Sequence, residues 1–458
     1  VNWAQVREMQ ASGLAEFASH SDDLHHGVLA NPQGNEQPAA TSYAYLKSQS
    51  RYETDAEYQQ RILQDLKKSY AVLKKEVGVN PKAIIWPYGA VNEQLEKLAQ
   101  QAGFQFSFSL GRDGMNRVSD STFKRSLVID NPTAEQLTEG MLNILNFEEA
   151  DLFKQPRHFV SMDLKHLAAQ QNAQTDEKLG QLLSKLYSLK NNALILKPLE
   201  DKDRDGQYDV AYFPTNKMSV QQDILNRSLW QAQTRAGQSV ILELPAYPQK
   251  DKPFLAVDLA KDIARFNSNL SGVQLNAGSS LNCAMQKITV QESSCIEQSK
   301  QLEQLSELTK EAVKPYLNMS NQAQFSLLLT PDLDHIENLP ELIKTLLMQH
   351  DLVNLKFDVI GKKKQFNQLL TLLNTLDQND KQRIMLTLVL PENSQKNAWE
   401  EVQQGLFSIQ RVGIQKFGID GYDFEKSKDV HQYLYNPLSL NASPVMYQPF
   451  AGLVEGKK

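Results

Sequence analysis

The sequence is poor in cysteine, in long apolar runs and in surplus positive charge. Only two cysteines occur in 458 residues, Cys283 and Cys295, and their spacing is not the CxxC spacing of a structural zinc site. No apolar stretch reaches the ~18 residues that span a bilayer. The formal net charge is −6, so no basic surplus can neutralise phosphates, which argues against nucleic acid as a partner. A neutral or weakly cationic substrate fits this charge better.

What the chain does contain is a regular alternation of apolar segments. A length of 458 residues exceeds one ordinary core, so two domains are expected. Apolar spacing in the first part predicts helices over 2–14, 54–77 and 91–102, and buried strands over 14–19, 83–86 and 104–110. This alternation of strands and helices indicates an α/β fold with a mostly parallel sheet.

A second unit follows an expected linker at 143–156. Strand–helix alternation restarts there and continues over roughly 300 residues, which predicts a (β/α)8 barrel. The expected strands lie at 158–163, 193–197, 239–244, 272–275, 324–329, 355–360, 384–390 and 413–419. The predicted domain limits are therefore 1–145 and 157–450.

Two histidines near the amino terminus are the first functional signal. His20 and His25 follow an apolar run and open a loop, with Asp22-Asp23 between them. Neutral imidazole is a common ligand of a catalytic divalent metal, although an arbitrary histidine pair is more often solvated or satisfied in a core. The second signal is Trp86-Pro87-Tyr88-Gly89, which by itself is an ordinary strand-to-turn sequence.

Together and in this order, the two motifs resemble the polysaccharide deacetylases of carbohydrate esterase family 4. The resemblance is strongest to the PgaB-type members, which act on poly-β-1,6-N-acetyl-D-glucosamine and carry two domains. It covers nearly the whole chain, in the family's domain order, through residues 2–9, 12–14, 19–21, 86–89, 130–132, 201–206, 212–216, 230–237 and 413–423.

For the first domain, the resemblance implies a partial (β/α) deacetylase barrel that uses a divalent metal. His20 and His25 are expected to be two of the ligands, and zinc, nickel, cobalt and iron all accept imidazole. The Asp ligand, the Asp base and the His acid are expected upstream of Val1, so the chain is expected to be truncated, to hold no catalytic acid or base, and to be a poor deacetylase alone. The backbone N–H of Tyr88 is expected to face the oxyanion, and Trp86 to line the sugar groove.

The second domain resembles the family's glycoside-hydrolase-like barrel but departs from its acidic motifs. The family's His-Asp-Asp run after the fourth strand is replaced by Leu275-Asn276-Ala277-Gly278, and its Asp-Leu-Asp triplet in the first strand by Asp163-Leu164-Lys165. Because glycoside hydrolysis normally needs two carboxyl groups, this barrel is expected to bind the polymer without cleaving it. The acids expected to supply negative charge to a cationic glucosamine polymer are Asp163, Asp203, Asp205, Asp420 and Asp423.

Residues 201–206 also resemble the start of a calcium-binding loop. The twelfth position is Tyr212, where such a loop requires a bidentate Glu. A solvated loop of the barrel is therefore the expected structure of this segment.

Three interpretations of function stay open. The chain is part of a metal-dependent deacetylase fused to a carbohydrate-binding barrel, a non-catalytic polysaccharide-binding and export protein, or a glycoside hydrolase that uses a rearranged pair such as Asp163 with Asp420. The resemblance implies export to the periplasm, a lipid anchor on the outer membrane, a role in biofilm formation and an outer-membrane export porin as a partner. In an exported protein Cys283 and Cys295 would pair as a disulfide, whereas in cytosol they would be thiols.

Overall fold

The computed structural model describes residues 1–111, 114–285, 293–390, 396–425 and 427–441. Contacts divide the chain into two compact units. The first comprises residues 1–151, 264–269 and 313–322, and the second comprises the remainder. Among the described helices, none combines the length and the apolar character needed to cross a bilayer.

The first unit is built on a small parallel sheet. Its strands are β1 (Ala83–Ile85), β2 (Phe106–Leu110) and β3 (Thr122–Arg125), in that spatial order. Its helices are α1 (Trp3–Ala11), α2 (Asp55–Val77), α3 (Glu93–Ala102) and α4 (Ala134–Leu145), and two short hairpins pair Gly27–Leu29 with Glu36–Pro38 and Tyr45–Leu46 with Arg51–Tyr52. The α/β organisation with a parallel sheet that the sequence predicts is therefore present.

Helix α2 shows how local sequence sets these elements. Thr54 and Glu57 form a reciprocal capping box at its start, and Gly78, at φ 81°, ends it in the left-handed conformation. Tyr58, Ile62 and Leu66 recur at helical spacing and are buried, so one face of the helix is fixed against the core.

The predicted strand over 14–19 is wrong except at its last residue. Only Ser19 pairs with the sheet, as an isolated parallel bridge to Ile84 of β1. The expected linker over 143–156 begins inside α4, and β3 was not anticipated from the sequence.

The second unit is a closed barrel of eight parallel strands, as predicted. The strands are β4 (Arg157–Asp163), β5 (Ala193–Lys197), β6 (Ser239–Pro245), β7 (Gly272–Gly278), β8 (Gln324–Leu329), β9 (Leu352–Phe357), β10 (Ile384–Val389) and β11 (Lys416–Asp420). Each pairs with the next along the chain, and β11 pairs with β4 to close the ring. The first barrel strand begins with Arg157.

Helices separate the barrel strands. They are α5 (Asn172–Leu189), α6 (Leu225–Ala236), α7 (Leu255–Phe266), α8 (Asn282–Met285), α9 (Ser293–Val313), α10 (Leu339–Leu347), α11 (Lys363–Leu373), α12 (Gln378–Gln382), α13 (Lys396–Arg411) and α14 (Ser427–Leu438). Three short strands, Leu199–Glu200, Val210–Ala211 and Ser219–Val220, form a small sheet between β5 and α6.

The barrel interior contains a polar layer as well as apolar packing. Gln274 of β7, Asn354 of β9 and Thr387 of β10 are almost fully buried. Asn354 Nδ2 donates to Gln274 Oε1 at 2.8 Å, and Thr387 Oγ1 donates to Asn354 Oδ1 at 2.9 Å. These mutual hydrogen bonds offset the cost of burying the polar groups.

The two cysteines form a disulfide. Cys283 and Cys295 are joined with a Cα–Cα distance of 6.0 Å, within the usual range for such bridges. This is the alternative that the sequence analysis attached to an exported protein.

Candidate metal centre and barrel mouth

The loop that carries the two histidines is fastened to the sheet and to α2. Ser19 N–H donates to the carbonyl of Ala83 at 3.0 Å, and Ile85 N–H donates to the carbonyl of Ser19 at 2.7 Å. The Asp65 carboxylate on α2 accepts from the backbone N–H groups of Asp22, at 3.0 Å, and Asp23, at 2.6 Å. The Asp22-Asp23 pair therefore shapes the loop through its backbone.

His20 and His25 face each other across a distance that a metal ion would bridge. His20 Nε2 lies 3.2 Å from His25 Nδ1. Two nitrogens at 2.0–2.1 Å from one ion, at tetrahedral to octahedral angles, would be roughly 2.9–3.4 Å apart. His20 Nδ1 is 2.7 Å from the carbonyl oxygen of Ile85, which selects the tautomer with its proton on Nδ1 and leaves the Nε2 lone pair available. The pair therefore fits a divalent metal.

The described residues hold no third ligand beside these imidazoles. Within the described ranges, the one group of three or more His, Cys, Asp or Glu side chains close enough to share an ion is Asp201, Asp203 and Asp205, in the barrel. The two imidazoles are therefore the ligands that the described residues offer at this position.

Tyr88 stands at the edge of the candidate metal centre. It follows β1 in the short helical turn Pro87–Gly89 and has a φ of 59°, in the left-handed region. A non-glycine residue there carries backbone strain of about 1–3 kcal/mol, and such strain is concentrated at functional sites. The Tyr88 ring is half exposed and meets the edge of the His25 ring at a centroid distance of 4.6 Å. The turn that the sequence identified therefore lies next to the histidine pair.

Gly89 is required by the packing of this turn. Its φ is 68°, and an added Cβ would lie 2.4 Å from the Cγ atom of Leu110 on β2. We expect Gly89→Ala to lower the free energy of unfolding by about 2–4 kcal/mol, because it combines a left-handed backbone with overpacking. Urea unfolding is the measurement. Gly140→Ala is the control: no atom lies within 4 Å of its added Cβ in α4, so stability should be unchanged or slightly raised.

The prediction that Trp86 lines the sugar groove is wrong for this structure. Its side chain is 0% exposed, and its indole Nε1 donates to Glu96 Oε1 on α3 at 3.3 Å. An aromatic ring at a strand end can pack inward or face solvent. Here the polar partner on α3 satisfies the buried N–H, and the ring becomes part of the core.

At the carboxyl ends of the barrel strands, two lysines form ion pairs with two of the predicted acids, Asp163 and Asp420. Lys197 Nζ on β5 lies 2.7 Å from Asp420 Oδ1 and 3.5 Å from Asp163 Oδ2, while Lys356 Nζ lies 3.3 Å from Asp420 Oδ2. Burial by itself would raise the pKa of Asp420, but the two ammonium groups outweigh it and lower that pKa to about 2. Asp420 is therefore ionised and paired at neutral pH.

Glu243 on β6 is a further acid at this mouth. Its carboxylate accepts from Gln274 Nε2 at 2.9 Å and from Asn276 Nδ2 at 2.8 Å. Burial raises the pKa of Glu243 above its ordinary value, against the opposing charge of Lys197. Since the residue is only 4% exposed, this carboxyl group is enclosed by its amide partners.

The carboxylates of the other predicted acids accept hydrogen bonds from backbone N–H groups of their own loops. Asp203 Oδ1 accepts from Asp205 N–H at 3.3 Å, and Asp205 Oδ1 accepts from Gln207 N–H at 2.8 Å. Asp423 Oδ1 accepts from Glu425 N–H at 3.0 Å. Asp163 and Asp420 form ion pairs with lysine, whereas Asp203, Asp205 and Asp423 keep their negative charge while accepting backbone hydrogen bonds. That these acids supply negative charge to a cationic polymer stays a prediction.

The sequence analysis did not identify three charged residues at the barrel mouth: Lys197, Glu243 and Lys356. Each is a charged residue at or near the end of an otherwise apolar strand: ALILK, SVILELP and LVNLKF. Active-site groups of (β/α)8 barrels lie at the carboxyl ends of the strands. A charged residue near the end of an apolar strand was therefore the sequence pattern that could have identified these three residues.

Two family models match the chain one after the other. The polysaccharide deacetylase model matches residues 1–107, and the model described as hypothetical glycosyl hydrolase family 13 matches residues 161–332. A poly-beta-1,6-N-acetyl-D-glucosamine N-deacetylase of Escherichia coli O157:H7 is 31% identical over 247 residues, which is 53% of this chain and 35% of that protein. An enzyme of the same name from Staphylococcus epidermidis is 28% identical over 133 residues, 29% of this chain and 39% of that protein.

The barrel also has a solved counterpart. The PgaB (BpsB) glycoside hydrolase domain from Bordetella bronchiseptica superposes with a TM-score of 0.50 at 17% identity, covering 62% of this chain and 99% of that domain. The deacetylase model therefore matches the first part of the chain, and the second part has the fold of the PgaB glycoside hydrolase domain. The residues that the deacetylase model matches precede those that the glycosyl hydrolase model matches. The chain spans about a third of the length of the Escherichia coli relative.

Proposed function

We propose that this PgaB-type chain supplies part of the metal centre of a deacetylase that removes acetyl groups from poly-β-1,6-N-acetyl-D-glucosamine. The observation that carries the proposal is the pair His20 and His25, whose facing nitrogens are 3.2 Å apart beside the strained turn at Tyr88. The printed names of the Escherichia coli and Staphylococcus relatives support the choice of substrate.

The chain's own residues would position the metal and the reacting acetamide. A divalent metal, such as zinc, nickel, cobalt or iron, would polarise the acetamide carbonyl and acidify a water molecule. Ile85 fixes the tautomer of His20 through its carbonyl oxygen, so the ligand nitrogen is oriented in advance. The backbone N–H of Tyr88, in the left-handed turn beside the histidine pair, would help to hold the oxyanion. The third ligand, the base and the acid would come from sequence upstream of Val1.

We also propose a cellular setting for this activity. The protein would act in the periplasm, anchored by a lipid at the outer membrane, and would pass the polymer to an outer-membrane export porin during biofilm formation. The disulfide between Cys283 and Cys295 supports an oxidising compartment.

The barrel would hold the polymer without cleaving it. Glycoside hydrolysis requires one carboxyl group that can give up a proton and a second, ionised one. Asp163 and Asp420 share Lys197, which keeps Asp420 ionised, and Glu243 is enclosed by Gln274 and Asn276. This arrangement disfavours the interpretation in which Asp163 and Asp420 form a hydrolytic pair. Polymer that is shortened after incubation with the chain would contradict the proposal for the barrel.

Acetate release from a β-1,6-linked N-acetylglucosamine oligomer tests the deacetylase proposal. We expect the 458-residue chain to release acetate at least 100-fold more slowly than the same chain carrying its native upstream sequence, because an absent general base or acid alone costs about 10²–10⁴-fold. Equal rates for the two proteins would overturn the assignment of the missing groups to the upstream segment. Absence of acetate release from both would overturn the proposed activity itself.

A further inference from the structure

Two cations lie side by side at the amino-terminal end of the barrel, the end opposite the mouth. Arg157 opens β4 and Lys416 opens β11, and the two residues are direct partners in the register of these parallel strands. Alternate residues of a strand share a face, so Arg157 is on the inward face with Phe159, which packs in the barrel core. Lys416 is 2% exposed. Both residues therefore belong to the floor of the barrel.

Neither cation has a carboxylate partner within the described part of the chain. Lys416 Nζ donates to the carbonyl oxygen of Phe153, and Arg157 Nη1 is enclosed without a hydrogen-bond acceptor among the described residues. Burial lowers the pKa of Arg157 to about 10, and burial together with the charge of Arg157 lowers the pKa of Lys416 to about 7. Because an unpaired buried charge is costly, this pair of cations requires a counter-ion.

A neighbouring arginine shows how protein groups satisfy a cation in the same region. Arg383, which precedes β10, donates to the carbonyl oxygens of Leu347 and His350, both at 2.6 Å. Its guanidinium carbon lies 5.2 Å from the centroid of the Phe153 ring. In the described chain, no acceptor takes the corresponding place at Arg157 Nη1, so this donor is available to a bound anion.

The surroundings of the two cations favour a small anion. Arg157 is partly exposed, which gives an ion access from solvent, whereas Lys416 is almost fully buried. Adjacent strands are about 4.8 Å apart, so the guanidinium and the ammonium start from neighbouring backbone positions and can donate to one ion. The Phe153 ring packs against the core beside them. A monatomic anion needs only charge and N–H donors, and both are present here.

We propose that the floor of the barrel binds a chloride ion between Arg157 and Lys416. The ion would accept hydrogen bonds from Arg157 Nη1 and from the Lys416 ammonium, and it would offset the repulsion between the two cations. With its charge balanced, Lys416 would continue to donate to the Phe153 carbonyl and so hold the end of the turn Glu149–Phe153 against the barrel core. The site is independent of the proposed deacetylase activity.

Chloride NMR of the 458-residue chain tests the site, because exchange of chloride with a protein site broadens its resonance. Metal is first removed with a chelator, which is then dialysed away, so that no chloride is held by a metal ion. At pH 6, where Lys416 is largely protonated, sodium gluconate is replaced stepwise by sodium chloride at constant ionic strength. We expect protein-dependent broadening that saturates as the chloride concentration rises.

Matched variants locate the bound ion. Lys416→Met and Arg157→Gln each remove one charge and should lower chloride affinity by about tenfold or more, because a charge-assisted hydrogen bond is lost. Arg157→Lys keeps the charge and should retain most of the broadening. Arg411→Gln removes an exposed arginine at the end of α13 and should leave the broadening unchanged. Far-UV circular dichroism and the melting temperature establish that each variant is folded.

Three results would overturn the proposal. One is the absence of saturable broadening with the parent chain. The second is broadening that Lys416→Met and Arg157→Gln leave unchanged, or that Arg411→Gln lowers equally, since chloride would then associate only with surface cations. The third comes from crystals of the parent soaked in sodium bromide: an anomalous peak beside Arg157 Nη1 is expected at the bromine absorption edge, and no peak there would contradict the site.

Discussion

Replacing His25 with alanine is expected to remove deacetylation almost completely in the chain that carries its upstream sequence. The His25 imidazole faces His20 Nε2 at 3.2 Å and would supply one of the metal's ligands. A metal contributes several kcal/mol of transition-state stabilisation, which corresponds to a loss on the order of 10³-fold in kcat/KM. Acetate release is one readout, and zinc affinity of the 458-residue chain, measured by competition with a chromophoric chelator, is a second.

The neighbouring histidine provides a matched control for this experiment. His26 is half exposed and its ring lies 3.8 Å from Asp23, outside the pair. His26→Ala should leave both zinc affinity and acetate release within about twofold of the parent, since surface changes away from a site have small effects. If His25→Ala and His26→Ala behave alike, the facing imidazoles are not a metal site.

Replacing Lys197 with methionine is expected to have the largest effect on the stability of the barrel. The substitution keeps the length of the side chain but leaves Asp163 without its ion pair and Asp420 with Lys356 alone. Breaking a buried pair by removing one partner costs about 3–5 kcal/mol, because the remaining charge stays poorly solvated. Urea unfolding at neutral pH would measure this loss. Lys362→Met is the control, since its pair with Asp358 at 3.8 Å is half exposed and worth at most about 1 kcal/mol.

The effect of Lys197→Met should depend on pH in a defined direction. The pKa of Asp420 in the folded parent is about 2, below the unfolded value of about 3.9. The ion pair therefore stabilises the parent fully above pH ~4, and this contribution is lost as the pH falls toward 2. In the variant, Lys356 alone opposes the effect of burial, so the pKa of Asp420 rises. The difference in unfolding free energy between parent and variant should therefore narrow in acid. A gap that stays constant from pH 7 to pH 3 would show that Asp420 is not the group responsible.

The barrel strands could be located from sequence because most of their residues are buried and apolar. The shift of β9 from the expected 355–360 to Leu352–Phe357 has a specific cause. Asn354 interrupts the apolar run, yet it is buried and bonded to Gln274 and Thr387 on other strands. Sequence analysis assigns such a polar residue to a loop, because its hydrogen-bond partners are remote in sequence. Only the pairing of the strands brings those partners next to it.

The candidate metal centre was predictable in its residues but not in its supports. The order of the two motifs pointed to His20, His25 and Tyr88, and the structure places their side chains together. The carbonyl of Ile85 that orients His20, and the Asp65 carboxylate that holds the loop, carry no sequence signal, because any residue has a carbonyl and α2 has many polar positions. The position of the Trp86 side chain was predicted wrongly for a related reason. Its indole N–H donates to Glu96, ten residues away, and the sequence gives no sign of this contact.

The sequence by itself determined the alternation of strands and helices, the closed barrel, the two histidines and the lack of the usual acidic motifs. These are local properties: apolar period, residue identity and order along one chain. Only the tertiary structure decided the charge at the barrel mouth, since Lys197 meets Asp163 and Asp420 across 34 and 223 positions of sequence. Whether a carboxylate is a free ligand or half of an ion pair depends on which strands are neighbours, and closure of the barrel sets that.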